Sequence, residues 1–393
     1  MSSIVIAGDT SGTVTLQAPA VSGSNTLSLP AATDTLVGRN TTDTLTNKTI
    51  SGNLTITGSG AGVIFPDSTQ LGTASSLGIR NRIINGNFDV WQRATSSSST
   101  GHQTADRFRY SDNGAGVTIT QSQQTFTIGQ TDVPYEPTYF YRVAKTVAGS
   151  AGTFTAIEQG IEDVRTFAGQ TATISFYAKT TSGTVSCSVY LAQYFGSGGS
   201  GNVNTSSTSV TLTTTWQKFT ATVSVPSISG KTIGTGNCLF FTLSLPNNAT
   251  FTADISQVQV EAGSVATPFE RRPYGMELAL CLRYYYSYSS QGREWVWVTY
   301  SSNGDTRGRV FHPVPMRSSP TITFSTTTWN AVGFGQSGTG VNVSASSVTA
   351  AFIDSYGWGI TITGNSGMSS TAYGSVVVWG SNITVTVYAS AEL

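Results

Sequence analysis

The side chains able to perform covalent or acid–base chemistry are few and poorly spaced for it. The chain holds two histidines, His102 and His312, three cysteines, Cys187, Cys238 and Cys281, and 20 acidic residues. No HExxH pair exists to bring two imidazoles together around zinc, and no serine lies in a nucleophile-elbow sequence. The cysteines stand far apart without CxxC spacing, which argues against both a zinc site and a disulfide framework. Cys187 and Cys238 fall in apolar alternations and read as small buried hydrophobes. His312, between Phe311 and Pro313, reads as structural, and Asp106-Arg107 reads as a pair ordering a loop through a charge-assisted hydrogen bond. Glycoside cleavage needs only two carboxylates roughly 5 to 9 Å apart, so acid count alone leaves it open.

The stronger chemical signal is aromatic. From Trp295 onward the chain is dense in large rings, among them Trp297, Tyr300, Trp329, Phe334, Tyr356, Trp358, Tyr373 and Trp379. Several adjoin glycine, as in Ser355-Tyr356-Gly357-Trp358-Gly359, which places them in turns rather than mid-strand. A ring that no strand can hide suits the apolar C–H face of a sugar, while Asn, Gln, Ser and Asp meet the hydroxyls. Trp358, Tyr356, Trp329 and Tyr300 are therefore the glycan-binding candidates. Ordinary core or subunit-interface packing is the competing reading for each; it is preferred for Trp295 and Trp297, which alternate with Val296 and Val298.

The elements that must position these residues are β-strands. At 393 residues the chain is long enough for two or three domains. Only 10% of residues are charged, in equal numbers of each sign, so no basic patch can displace counterions from nucleic acid and no polybasic stretch anchors a membrane. No apolar run is long enough to span a bilayer, and no basic-then-apolar leader opens the chain, so synthesis in a cytoplasm is expected. Aromatics at 10% with 42 glycines and abundant Thr, Ser and Val argue for an ordered all-β protein.

Residues 1–79 contain strand-like pieces at Ser11 to Leu16, Asn25 to Leu29 and Leu54 to Ile56, separated by Gly, Ser or Asn, and Thr33-Asp34-Thr35-Leu36 recurs as Thr42-Asp43-Thr44-Leu45. Strands this short cannot offset roughly 1 to 2 kcal/mol of backbone ordering per residue, so they need partner copies or remain a disordered linker. From Asn81-Arg82-Ile83-Ile84-Asn85-Gly86-Asn87-Phe88 onward a compact domain begins, read as a strand at Ile83 and Ile84, a tight turn at Asn85 to Asn87, and Trp91 as core filler. Residues 80–272 then hold period two. Ala172, Ile174, Phe176 and Ala178 share a face, as do Val185, Cys187, Val189 and Leu191, and Leu239, Phe241, Leu243 and Leu245. Such runs predict a two-sheet antiparallel sandwich. Ala253 and Ile255 are out of phase with Val258 and Val260, which predicts a β-bulge near Ser256 and Gln257. In residues 273–393, Leu278, Cys281, Leu282 and Tyr285 fall at helical spacing, followed by a β-rich head with strands from Glu294 to Tyr388.

The segment Thr42 to Gly60, TDTLTNKTISGNLTITGSG, resembles segments of bacteriophage tail-fibre and other virion appendage proteins. NRIINGNFDVWQR (Asn81 to Arg93), TADRF (Thr104 to Phe108), TTTWQKFTATVSVP (Thr213 to Pro226) and ISQVQVEAGSVATPFERRPYG (Ile255 to Gly275) are together similar to the carbohydrate-binding-module-like jelly roll of many phage tail-fibre proteins, with Phe108 where tryptophan is expected. ERRPYGMELALCLRYYYS, Glu270 to Ser287, resembles the helical junction to a receptor-binding tip. The resemblance implies a homotrimer in the virion, attached through its N-terminus to a tail or baseplate protein: a slender trimeric β segment, an antiparallel jelly-roll sandwich, a short linking helix and a C-terminal β-rich head. It implies binding of a bacterial surface glycan without catalysis, nucleic acid or membrane insertion. A purely structural virion part, such as a baseplate connector or head decoration, is the alternative; a polysaccharide-cleaving tailspike is disfavoured because no long solenoid repeat is visible. No cofactor is required. Modules of this type often hold a structural calcium, for which Asp254 is the candidate carboxylate, with backbone carbonyls around Asn85 to Asn87 as partners; a lone carboxylate favours the plainer reading of Asp254 as an edge-strand or turn residue.

Overall fold

The computed structural model describes residues 79–289 continuously, together with 3–7, 11–17, 63–64, 70–71, 297–300, 306–325, 330–334, 340–344, 347–363, 375–379 and 386–393. The chain divides into two units, Met1–Gly62 and Val63–Leu393. In the first, β1 (Ser3–Ala7) and β2 (Thr13–Gln17) form an antiparallel pair, Val5 facing Thr15. The pieces at Asn25 to Leu29 and Leu54 to Ile56 lie outside the described residues.

The second unit opens with the short pair β3 (Val63–Ile64) and β4 (Gln70–Leu71). The sandwich follows in chain order as β5 (Ser96–Ser97), β6 (Arg109–Asp112), β7 (Thr118–Thr125), β8 (Tyr139–Val147), β9 (Thr155–Glu162), β10 (Thr171–Lys179), β11 (Val185–Tyr194), β12 (Val203–Asn204), β13 (Thr208–Leu212), β14 (Gln217–Ser224), β15 (Cys238–Ser244) and β16 (Phe251–Ala262). One sheet runs β14-β10-β16-β8-β7-β5. The other runs β12-β11-β15-β9-β6, with β13 also on β11, and every pairing is antiparallel. This is a jelly-roll sandwich, and its core is the predicted inward set: Ile174, Phe176, Val189, Leu191, Leu239, Phe241 and Leu243 are all fully buried. Phe108 is buried too, its ring 4.5 Å from that of Phe88, so phenylalanine fills the site where the resemblance leads one to expect tryptophan.

The phase change in β16 is resolved as expected. Register against β10 shifts between Ser175, opposite Gln259, and Tyr177, opposite Ser256, so one extra residue is accommodated there. Gln257 takes φ 50°, and Ala253, Ile255, Val258 and Val260 all reach the core. The strand expected at Ile83 and Ile84 is replaced by irregular chain pinned to this bulged strand. Arg82 N donates to Val260 O at 2.9 Å, Val258 N donates to Gly86 O at 2.9 Å, and the Asn81 amide bridges Val258 O and Val260 N, both at 3.1 Å. A Cβ on Gly86 would stand 2.2 Å from Val258 O, so glycine is demanded by close approach; the positive φ of the turn falls on Asn85 and Phe88 instead.

The helix α1 spans Tyr274–Leu282, starting after Pro273, whose carbonyl accepts from Met276 N and Glu277 N. It is one turn shorter than its apolar spacing suggests. Tyr285 belongs to β17 (Tyr285–Ser289), because Tyr285 to Ser289 pair with β26 (Thr386–Ser390), and that ladder prevails over helix propagation. Beyond it run β18 (Trp297–Tyr300), β19 (Thr306–Phe311), β20 (Thr321–Phe324), β21 (Asn330–Phe334), β22 (Gly340–Ser344), β23 (Ser347–Ala351), β24 (Gly357–Thr363) and β25 (Ser375–Trp379). They form a β17-β26-β20 sheet and a seven-stranded β22-β21-β25-β18-β19-β24-β23 sheet. Described residues of this region pack on the sandwich. Arg283 pairs with Glu162 at 2.9 Å, the Tyr284 ring lies under the Arg107 guanidinium at 3.5 Å, and Glu392 pairs with Arg107 and, at 3.0 Å, with Arg93.

Candidate functional site: a groove on the outer face of the sandwich

Strand β11 buries one side chain in two, β15 and β9 are buried at nearly every position, and the residues that these strands turn away from the core build a groove. With Leu191 and Phe241 inward, Tyr190, Ala192 and Tyr194 on β11 and Phe240 and Thr242 on β15 point outward. Register aligns them in rows. Tyr190 pairs with Thr242, Thr242 with Glu158 and Glu158 with Arg109, one residue from each of four strands. The adjacent row is Asn204, Ala192, Phe240 and Gly160. Three strand spacings of about 4.8 Å make each row about 14 Å long, the dimension of an oligosaccharide rather than a single sugar. The resulting groove has a volume of about 720 Å³, and Phe154 and Asn202 complete its lining with Leu393.

The groove's charges cancel locally. Glu158 Oε2 accepts from Arg109 Nε at 3.0 Å and from Ser111 Oγ at 2.8 Å, while Oε1 has a longer 3.4 Å bond from Thr242. The Arg109 guanidinium also covers the Phe240 ring at 4.4 Å, and Tyr194 and Phe240 have centroids 6.2 Å apart, tilted by 52°. Burial, with the Glu158 carboxylate beside it, pushes the Tyr190 phenol above its usual range, so it remains a neutral donor at any physiological pH. Half-exposed rings, a neutral donor and an ion pair with spare hydrogen-bonding capacity suit a flat, uncharged, hydroxyl-rich ligand. Glu158 is the single carboxylate among the described lining residues, and glycoside cleavage needs two.

Of the candidates read from sequence, the structure removes one and leaves one at the surface. Trp358 is fully buried, its indole N donating to Tyr286 Oη at 3.3 Å and its ring 5.7 Å from Phe324; the expectation of an exposed role is corrected. Its neighbouring glycines serve strand packing: a Cβ on Gly357 would meet Val310 O at 2.5 Å. Tyr356, the residue before β24, is 64% exposed. Tyr300 ends β18, and Trp329 lies outside the described residues. Neither Trp358 nor Tyr356 is among the described residues that line the groove. The groove residues carried a sequence signal of their own, since Tyr190, Tyr194 and Phe240 occupy the outward phase of strands whose inward phase is largely apolar.

Asp254 does not fit a calcium site. It is fully buried and accepts from Arg142 Nε at Oδ1 (2.6 Å) and from Arg142 Nη2 at Oδ2 (2.8 Å), a bidentate pair that uses both oxygens. The carbonyls of Asn85 and Gly86 are taken by Phe88 N and Val258 N. Arg107 likewise pairs with Glu392 instead of Asp106, which accepts from Gln92 N at 2.9 Å. Both histidines are structural in their contacts: His312 joins Tyr286 Oη at 3.0 Å to Asp354 O at 3.1 Å, and burial lowers its pKa. The three cysteines are buried and unpaired, and burial pushes the Cys187 and Cys238 thiols up to about 12.

No protein-family model and no curated protein matches this sequence. Among solved structures, the chain is similar to one described as CBM4, at 18% identity over 46% of this chain and 98% of that chain, with a TM-score of 0.30. It is similar to the family 11 carbohydrate-binding module from Clostridium thermocellum in complex with a β-1,3-1,4-mixed-linked tetrasaccharide, at 12% identity over 41% and 91% of the two chains and a TM-score of 0.28. It is also similar to the enzymatically active domain of bacteriophage CBA120 tailspike protein 4, at 13% identity over 46% of this chain and 21% of that one, TM-score 0.30. Likeness at this level carries no weight on function.

Proposed function

We propose that this protein binds a neutral glycan in the groove of the β12-β11-β15-β9-β6 sheet, and does so without cleaving it. The observation that carries the reading is the outward set Tyr190, Tyr194 and Phe240 standing beside the Arg109–Glu158 pair on an otherwise well-packed sandwich. On such a set a sugar ring can bury its C–H face on tyrosine and meet its hydroxyls with a carboxylate–guanidinium pair. The six sequence motifs quoted above, from Thr42 to Ser287, extend the proposal to its setting: a homotrimeric phage tail-fibre protein, held to the virion by its N-terminal segment, that engages a bacterial surface glycan. Three such grooves acting together raise effective concentration, so each can be weak. Tyr356 at the surface of the C-terminal region is proposed as a secondary contact.

The test is affinity gel electrophoresis of the full chain in gels containing single soluble polysaccharides, comparing wild type with Tyr190→Ala, Tyr194→Ala and Tyr356→Ala. Losing one stacking ring costs about 1 to 2 kcal/mol, or about five- to thirty-fold in affinity per site. Retardation that survives both groove substitutions refutes the groove as the binding site.

A further inference from the structure

The groove is not made by the sandwich alone. Phe154, just before β9, is followed on the strand's outer face by Ala156, Glu158 and Gly160, and the face is closed at Gly160 by a residue distant in sequence. A Cβ placed on Gly160 would lie 3.1 Å from Leu393 Cβ, 3.4 Å from Leu393 Cδ1 and 3.3 Å from Phe240 Cε1, so the leucine lies directly over the glycine and next to the groove's phenylalanine. Glycine at this position leaves the space that the leucine fills.

Leu393 is held there firmly. Ala391 N donates to Tyr284 O at 2.7 Å, and Arg317 donates Nε to Ala391 O at 3.0 Å and Nη2 to Glu392 O at 3.4 Å. The Glu392 carboxylate is clamped between Arg93 and Arg107, with side chains 10% and 1% exposed, and this holds it down to a pKa of about 2 despite burial. Arg107 also donates to Gly160 O at 2.6 Å, so one guanidinium fixes both the groove floor and the residue before Leu393.

Resting on the glycan reading of the groove, we propose that Leu393 is a specificity-determining wall. It blocks passage along the strands beyond Gly160, so a bound glycan lies across them, over Arg109, Glu158, Thr242 and Tyr190, and a branch directed at the Gly160 edge is rejected. The C-terminal region thereby selects linear over branched chains, through an aliphatic side chain.

The probes are two matched pairs of neutral polysaccharides: linear hydroxyethyl cellulose with branched xyloglucan on the same β-1,4-glucan backbone, and linear β-mannan with branched galactomannan. Wild type, Leu393→Ala and Tyr190→Ala are run against all four by affinity electrophoresis, with circular dichroism melts to establish that each variant is folded. Wild type is expected to bind the linear member of a pair at least ten-fold more tightly than the branched one, and Leu393→Ala to bring that ratio below three-fold by gaining on the branched chain. Equal binding of both members by wild type, or an unchanged ratio in Leu393→Ala, overturns the wall while leaving the groove reading standing. Absence of binding to all four by wild type overturns both.

Discussion

His102 lies in the cluster that clamps the C-terminal residues to the sandwich, and its surroundings give stability a pH dependence that one substitution removes. Its Nε2 stands 3.8 Å from Glu392 Oε2, with a side chain 16% exposed. Burial lowers its pKa from 6.5 to about 4; the Glu392 carboxylate opposes this, while Arg107, Arg93 and Arg109 add to it. The unfolded chain therefore takes up a proton below pH 6.5 that the folded chain refuses until about pH 4. Stability from this group is complete above pH 6.5 and falls as pH drops through that window, at about 1.4 kcal/mol per pH unit, to a loss of about 2 to 3 kcal/mol at pH 4.5. Glu392 stays ionised over this range in the folded state, and its contribution is lost only below the ordinary glutamate range. Asp106 and Glu277, whose pKa values burial raises, act in the opposite sense, whereas His312 acts in the same one. The informative quantity is thus the difference between wild type and His102→Gln. Urea denaturation followed by circular dichroism at pH 7 and pH 4.5 should show wild type losing about 2 kcal/mol more than the variant. Parallel losses, agreeing within about 0.5 kcal/mol, would refute the placement of His102 in a dry, arginine-lined cluster.

Two other perturbations separate packing from binding and test assembly. Trp358→Ala removes a fully buried ring and should cost about 3 to 5 kcal/mol in urea denaturation, with polysaccharide retardation under native conditions unchanged; lost retardation in a folded variant would return Trp358 to the binding surface. The solution mass of the full chain by light scattering is expected to be three times the 41.2 kDa of one chain, and that of a truncation beginning at Gly78 to fall; a full-length monomer would overturn the fibre proposal.

Period-two patterning determined the sandwich, since an apolar residue at every second position can be satisfied only by a half-buried strand. It located the inward faces from Ile174 to Leu243 and even the bulge at Gln257, because a phase slip in an apolar run has one local remedy. Tertiary pairing decided the rest. Tyr285 has helical spacing yet joins β17, because Thr386 to Ser390 offer a ladder that no local signal announces. Trp358 beside two glycines looks like a turn residue, but those glycines admit neighbouring backbone and the indole goes inward to Tyr286. Asp254 looks like a free carboxylate until Arg142, 112 residues away, arrives opposite it in the register of β8 and β16. The groove itself joins Arg109, Glu158, Tyr190, Phe240 and Leu393 from five separate stretches. Which outward-facing residues become neighbours depends on strand order and register, and those are set by the global packing of two sheets rather than by any single run of sequence.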